Sequence, residues 1–379
     1  MSKNSDYQNK NGHSAVDSEI EVDSTPLTRA VTKEDIRRFR RSMALSDEAA
    51  HERFLDLRMQ RQNQRDVRGA IFMAVVFLLM AFTPSAAERT FGYYATILVL
   101  ASMTFGFFGV RIRHRLIRMN EPWESHMRLK KFAKVNGFEL YGRLDTEFYP
   151  GMLANLAGNA SYLYGVIRLE DRPRIEWGNT FAYSTSSTEY LGGSYGYIAI
   201  ELDTHLPHMV LDSRKNNWRS FGKESSNLPV EINRNQHLQL EGDFNEHFTL
   251  YAPKEYEQDA LYIFTPDFMA LLIDEVAAYD VEIIDNYLFV YRSKPFTQYT
   301  PELIEKNLAI ISNIGSKTLT RTGRYKDDKA FAEVGTESIA EKGRRLRQKS
   351  LATGLLIFGG SIFVIIMVAA MIAAVIGGL

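Results

Sequence analysis

The sequence predicts an α+β protein, with three transmembrane helices and a soluble, mainly antiparallel β domain covered by helices. Three observations predict it. The stretches Gly69–Ala87, Thr90–Val110 and Leu351–Leu379 contain no Asp, Glu, Lys, Arg or His. Each has a basic cluster on one side. Between the second and third lie short β-rich runs separated by Gly, Asn, Asp and Ser, as in an antiparallel sheet.

A helix that spans a bilayer takes roughly 20 predominantly apolar residues. The first two stretches form a hairpin over residues 69–110, and the third ends the chain at 351–379. Lys and Arg close to membrane helices favour the cytoplasmic side. Arg53, Arg58, Arg61, Arg65 and Arg68 precede the first span, and Arg111, Arg113, Arg115 and Arg118 follow the second. Lys342, Arg344, Arg345, Arg347 and Lys349 precede the third. The link Thr83–Thr90 carries only Glu88 and Arg89. All three spans therefore place the soluble region inside, in a multi-pass inner (plasma) membrane protein. Pro84 and Ser85 shorten the first continuous apolar run to Gly69–Phe82.

Residues 1–31 are rich in Ser, Asn, Asp and Lys, the composition of a disordered cytoplasmic tail. Residues 32–68 form a juxtamembrane helical region. There Thr32 and Asp35 make a weak capping box, and Ser46 restarts the helix. Pro122–Val135 reads as a charged helix ending at the C-cap Asn136-Gly137. The soluble domain occupies residues 121–300. Its strands fall at Tyr162–Leu169, Thr180–Thr185, Tyr195–Leu202, His208–Asp212, His237–Leu240, Phe248–Ala252 and Leu261–Phe264. Thr265-Pro266-Asp267 opens a helix whose face Phe268, Met269, Leu272, Ile273, Val276 and Tyr279 covers the sheet. Val281–Tyr291 reads as a hairpin turning near Asp285-Asn286. Residues 301–350 give a helix from Thr300-Pro301, a linker at Thr320–Lys329 and a helix at Glu337–Ser350.

Composition narrows the function. The chain has 379 residues, a net charge of −1 and no cysteine. Nucleic acid is not expected as a partner, because such domains carry a basic excess. Disulfides and thiolate metal sites are excluded. No ionisable residue interrupts the apolar stretches, which argues against a transporter or channel. No phosphate loop is present, and no cofactor is expected.

Two groups of residues stand out as candidates. Asp243, Glu246 and His247 could supply acid/base catalysis, or could simply form a polar loop before a strand. His205 and His208, flanked by Asp203 and Asp212, bring two imidazoles together. A metal needs three or four ligands in fixed geometry, and Pro207 marks a turn, so no metal is assigned. The stretch 183–197 sets Tyr183, Tyr190, Tyr195 and Tyr197 among Ser, Thr and Gly, the make-up of adaptable binding loops. With His205 and His208 these tyrosines are the expected binding residues. Ala369, Ala373 and Gly377 lie four apart and allow homo-oligomer contacts through the C-terminal span.

Asn245–Tyr251 followed by Asp259–Met269 resembles a bacterial membrane-protein family with a two-span N-terminal hairpin and a cytoplasmic domain of unknown function. The resemblance covers Glu121–Tyr291 and implies a bacterial source and a cytoplasmic α+β domain. It carries over no catalytic residue. The expected function is a membrane-anchored cytoplasmic binding or scaffold protein, whose partners are the lipid bilayer and a cytoplasmic protein. The alternative is an enzyme acting on a membrane-proximal substrate through the acidic/His site.

Overall fold

The computed structural model describes residues 20–82, 91–118, 121–145, 149–152, 161–171, 173–182, 195–220, 223–228, 231–296, 299–323, 325–327 and 339–347. The apolar stretch 351–379, the link 83–90 and the Tyr183–Ser194 part of the tyrosine-rich stretch lie outside the described residues. The first five helices are α1 (Thr25–Thr28), α2 (Lys33–Ser42), α3 (Ala50–Phe82), α4 (Phe91–Arg118) and α5 (Glu121–Asn136). The strands are β1 (Glu139–Asp145), β2 (Ser161–Asp171), β3 (Arg174–Ala182), β4 (Gly196–Ser213), β5 (Trp218–Ser220), β6 (Lys223–Ser225), β7 (His237–Leu238), β8 (Phe248–Tyr251) and β9 (Asp280–Arg292). The chain is α+β with a mainly antiparallel sheet. It divides into two units, residues 1–203 with 288–320, and residues 204–287 with 321–379.

In the first unit, β1, β2, β3 and the start of β4 form an antiparallel meander, with Leu140 opposite Ile167 and Trp177 opposite Ile198. Leu163, Val166, Ile167, Ile175, Trp177 and Ile198 are buried, and Leu129 and Phe132 of α5 are buried with them. Glu176 is also fully buried. It accepts hydrogen bonds from Tyr149 (2.5 Å) and Tyr197 (3.0 Å) and pairs with Arg168 (3.0 Å). A buried carboxylate is tolerated only when its oxygens are satisfied in this way.

The helices follow their caps. Thr32 and Asp35 close a full capping box on α2, and Gly137 ends α5 in the left-handed region at φ +71°. The tail is ordered further than its composition implies. Leu27 is buried, Arg128 donates to its carbonyl, and Asn136 accepts from the Asp23 amide at 2.7 Å. Residues 1–19 of the tail lie outside the described residues.

Helices α3 and α4 run antiparallel. Asp66 pairs with Arg111 at 3.6 Å, Gly69 sits against Phe108, and Tyr93 donates to the Met80 carbonyl. Among the described residues one helix, Tyr93–His114, is long and apolar enough to cross a membrane. The apolar half of α3 ends at Phe82, too short by itself for that criterion, and exposes Ile71, Phe72, Val75, Leu78 and Leu79.

In the second unit, β4 from Val210 pairs with β8, and β8 with β7, all antiparallel. The helix Pro266–Val276 buries Phe268, Met269, Leu272 and Val276, four of the six residues expected on its covering face. Tyr279, beyond its end, is buried, and Ile273 is half-buried.

Five expectations change. Tyr195–Leu202 and His208–Asp212 are parts of one strand, β4, which carries Pro207 without a turn. Val281–Tyr291 is likewise one strand, where Asp285 adopts φ +52° in place of a hairpin turn. Leu261–Phe264 belongs to the helix Glu257–Ile263 and its C-cap, with Ala260 and Ile263 buried three apart at helical spacing. The expected linker begins as the helix Ser316–Thr322 and then buries Tyr325, whose hydroxyl donates to Asp259 at 2.8 Å. The helix expected at Glu337–Ser350 is one turn, Glu341–Arg344, within the described residues.

Gly142 of β1 brings that strand against the turn before α3, and a Cβ there would stand 1.7 Å from the Glu48 carbonyl oxygen. Gly142→Ala therefore forces backbone to move, and overpacking of this kind costs about 1–3 kcal/mol. Urea unfolding should show the loss, and an unchanged midpoint would mean that β1 sits elsewhere.

Candidate functional site

Carboxylates four residues apart share one helix face. Glu48 in the turn before α3 and Glu52 and Asp56 within it have this spacing, and Trp123, His126 and Lys130 follow at three and four residues on α5. The two rows meet in a buried ladder. Asp56 takes the Trp123 indole N–H at 3.0 Å and the Arg40 guanidinium at 2.7 Å. Glu52 Oε1 holds His126 Nδ1 at 2.9 Å. Glu48 lies 3.5 Å from His126 Nε2 and accepts from Lys130 at 2.6 Å. Glu52 Oε2 and Asp56 Oδ1 are buried without hydrogen-bond partners.

The electrostatics separate two neighbouring histidines. Burial opposes charge on His126, but the Glu48 and Glu52 carboxylates outweigh it and hold its pKa at about 9. For His51 burial dominates and pushes the pKa down to about 4, with Glu52 opposing. Burial also raises Asp56, against the Trp123 hydrogen bond and the Arg40 charge. His126 is thus an imidazolium and His51 a neutral ring at pH 7. His51 stacks on Tyr164 with centroids 3.5 Å apart and meets the Tyr162 hydroxyl at 3.0 Å through Nδ1.

These groups line a cavity of about 520 Å³ within the first unit. Its walls include His51, Glu52, His126, Tyr164, Phe296 and Tyr299. Gly165 opens one wall. Its φ of +57° begins an irregularity in β2, and a Cβ there would stand 3.1 Å from the Tyr299 hydroxyl. Tyr299 in turn accepts from Asn179 at 3.0 Å, which fixes the ring. At the rim Glu124 pairs with Arg128 at 2.8 Å. Small-molecule sites commonly occupy 300–1,000 Å³ and combine aromatic walls with a few fixed polar groups.

The residues singled out in the sequence are dispersed. Tyr183 and Tyr190 lie outside the described residues. The Tyr195 carbonyl accepts from the Thr180 amide and the Tyr195 amide donates to the Thr180 hydroxyl, and Tyr197 is fully buried on Glu176, so Tyr197 is no surface contact. His205 is exposed, whereas His208 is buried between Glu282 at 2.8 Å and the Leu346 amide at 3.0 Å. Three residues apart on a strand, the two rings face opposite sides and cannot share an ion. Asp243 and His247 approach only to 3.9 Å on a surface turn, and Glu246 beside them is exposed.

Asp212 is the exception. It is buried and lines a polar cavity of about 500 Å³ in the second unit, with Arg214, Glu224, Glu231, Arg234 and Tyr251. Burial raises its pKa to about 6 against the Ser226 hydroxyl, and its Oδ1 has no partner. Among the described residues no group of three or more His, Cys, Asp or Glu side chains could hold a metal ion. The α3–α5 ladder was hidden in sequence because its acids sit in a region whose arginines read as topology signals. The four-residue spacing of Glu48, Glu52 and Asp56 was the available sign.

No family model matches the chain, and no curated protein matches it. Among solved structures it is similar to the crystal structure of the mycobacterial trehalose monomycolate transport factor A, TtfA. The likeness is 12% identity, over 50% of this chain and 91% of that one, at a TM-score of 0.33. A likeness at that score carries no argument about fold or function.

The two histidines predict opposite pH limbs. A base raised in the folded state, as His126 is, contributes stability that is complete below its ordinary value of 6.5 and is lost as pH climbs through about 9. His51, depressed to about 4, subtracts stability as pH falls below 6.5. The stability advantage of the wild type over His126→Gln should shrink between pH 6.5 and 9 in urea titrations. A constant difference would show that His126 is not the imidazolium of the ladder.

Proposed function

We propose that this chain is a membrane-anchored binding protein whose soluble region faces the cytoplasm. Its ligand occupies the cavity lined by His51, Glu52 and Tyr164. One observation carries the reading. Helix α3 is continuous from His51, Glu52 and Leu55 on the cavity wall to the apolar run Gly69–Phe82. The candidate span Tyr93–His114 returns beside that run. A site built on such a helix is held near the bilayer, where local concentration replaces tight affinity. Three spans, an inner-membrane location, a cytoplasmic protein partner, self-association through residues 351–379 and kinship with the bacterial two-span family belong to the same proposal.

Topology is tested with the cysteine-free background. Ser85→Cys should label with a membrane-impermeant maleimide in intact cells, and Ser186→Cys should not. Labelling at 186 would reverse the orientation.

The second reading, an enzyme acting on a membrane-proximal substrate, draws support from Asp212. A carboxyl with pKa about 6 in a polar cavity is suited to proton transfer near neutrality. One comparison separates the readings. The full chain in nanodiscs is incubated with a small-molecule extract, and mass spectrometry reads what is retained and what is converted. Binding predicts a retained compound that falls at least tenfold in Leu55→Trp, which fills the cavity, with no conversion. Conversion abolished by Asp212→Asn favours the enzyme. Identical retention by wild type and Leu55→Trp counts against the cavity.

A further inference from the structure

The segment ahead of the C-terminal apolar stretch is strapped to the second unit. Arg347 pairs its backbone with the Gln236 side-chain amide in both directions, at 2.9 Å each. Its carbonyl also accepts from the Asn233 amide at 3.0 Å. The Leu346 amide donates to buried His208 at 3.0 Å, and the Leu346 side chain is itself buried. Gly343 lies against the Tyr256 ring, where a Cβ would approach within 2.5 Å. The backbone of residues 343–347 is therefore fixed, and its basic side chains project from a rigid base.

Those side chains surround a small cavity of about 80 Å³, lined by Lys254, Glu255, Lys342, Arg345, Arg347 and Gln236 among others. Lys342 spends its charge on Glu255 at 3.2 Å, and Arg345 reaches Asp285 at 3.2 Å. Lys254 and Arg347 carry the remaining positive charge, and both are exposed. The ordinary account of Lys342–Lys349 is topological charge beside a span. That account does not cover Lys254, which arrives from the distant turn Lys254–Tyr256. Leu351 follows Arg347 by four residues, so the apolar stretch begins no more than about 14 Å of extended chain from the cavity.

We propose that this cavity is a binding site for the headgroup phosphate of an anionic phospholipid, with Lys254 and Arg347 as its principal cations. The inference rests on the reading that residues 351–379 enter the bilayer from the cytoplasmic face. A cavity this small suits one phosphate, and basic pockets beside a span on that face are where anionic headgroups gather. Arginine gives the phosphate a planar fork and lysine a point charge.

The test uses the full chain in nanodiscs of equal phosphatidylcholine and phosphatidylglycerol, with native mass spectrometry counting retained lipids. Phosphatidylglycerol should be enriched at least threefold over phosphatidylcholine on the wild type and fall to parity in Lys254→Glu/Arg347→Glu. If that pair shifts the melting temperature, Lys254→Gln/Arg347→Gln carries the same test. Parity on the wild type, or enrichment that survives both pairs, overturns the site. Saturable stabilisation by inorganic phosphate in phosphatidylcholine-only discs, without phosphatidylglycerol enrichment, assigns it to free phosphate and also overturns it. A fluorophore on Ser361→Cys, challenged with doxyl lipids, separates the two claims. Quenching with no lipid preference rejects the headgroup site alone, whereas absence of quenching rejects the membrane anchor beneath it.

Discussion

Helix α3 is held against α5 by charge in a place where charge is costly. Glu52 and Asp56 of the helix and Glu48 of the turn before it line one side, and the imidazolium of His126, the indole of Trp123 and the cations Lys130 and Arg40 answer them. Around them lie Ile36, Met43, Ala49, Trp123 and Met127, an apolar cluster that excludes water and strengthens each pairing. Losing one partner would strand a buried charge, the expensive outcome for such networks. The cavity wall and the direction in which α3 runs on beyond it both follow from this ladder.

A second buried charge organises the meander. Glu176 of β3 draws Tyr149, Tyr197 and Arg168 onto one carboxylate. Arg168 in turn lies over the Tyr141 ring, 4.6 Å from its centroid. β1, β2, β3 and β4 are thereby tied by side chains as well as by ladder hydrogen bonds. The same logic recurs in the second unit, where Asp280 accepts from the Ser213 amide and from Asn216 and Asn227. Burial lifts its pKa to about 7 despite those bonds. Polar side chains in both units therefore specify which strands and loops meet, a task that non-directional apolar burial performs poorly.

Local chemistry was legible in the sequence. The Thr32/Asp35 box, Thr300 before Pro301, and Asn136-Gly137 each signal a helix end through bonds between near neighbours. Strand continuity was harder to read. Pro207 in β4 and Asp285 in β9 resemble turn residues, yet each sits in a long strand because tertiary pairing overrides local preference. The run Leu261-Tyr262-Ile263-Phe264 has strand-like composition, but burial at Ala260 and Ile263 selects a helix. The cavity was the least legible feature, since Glu52 and His126 are 74 residues apart and nothing in either neighbourhood names the other. Tyr197 and His208 were visible as unusual residues, and their chemistry is spent internally.

The continuity of α3 has a mechanical side. An unbroken helix rises 1.5 Å per residue, so His51 stands about 27 Å along the axis from Gly69. Backbone hydrogen bonds make that length stiff. A change of about 10° in the lean of the apolar half, transmitted along the rod, would sweep the histidine end sideways by about 5 Å. That displacement is comparable to the spacing of the stacked His51 and Tyr164 rings, 3.5 Å between centroids. The bonds that pin Glu52 and Asp56 therefore also resist any lean of the helix beyond Gly69, and the cavity keeps its width by the same contacts.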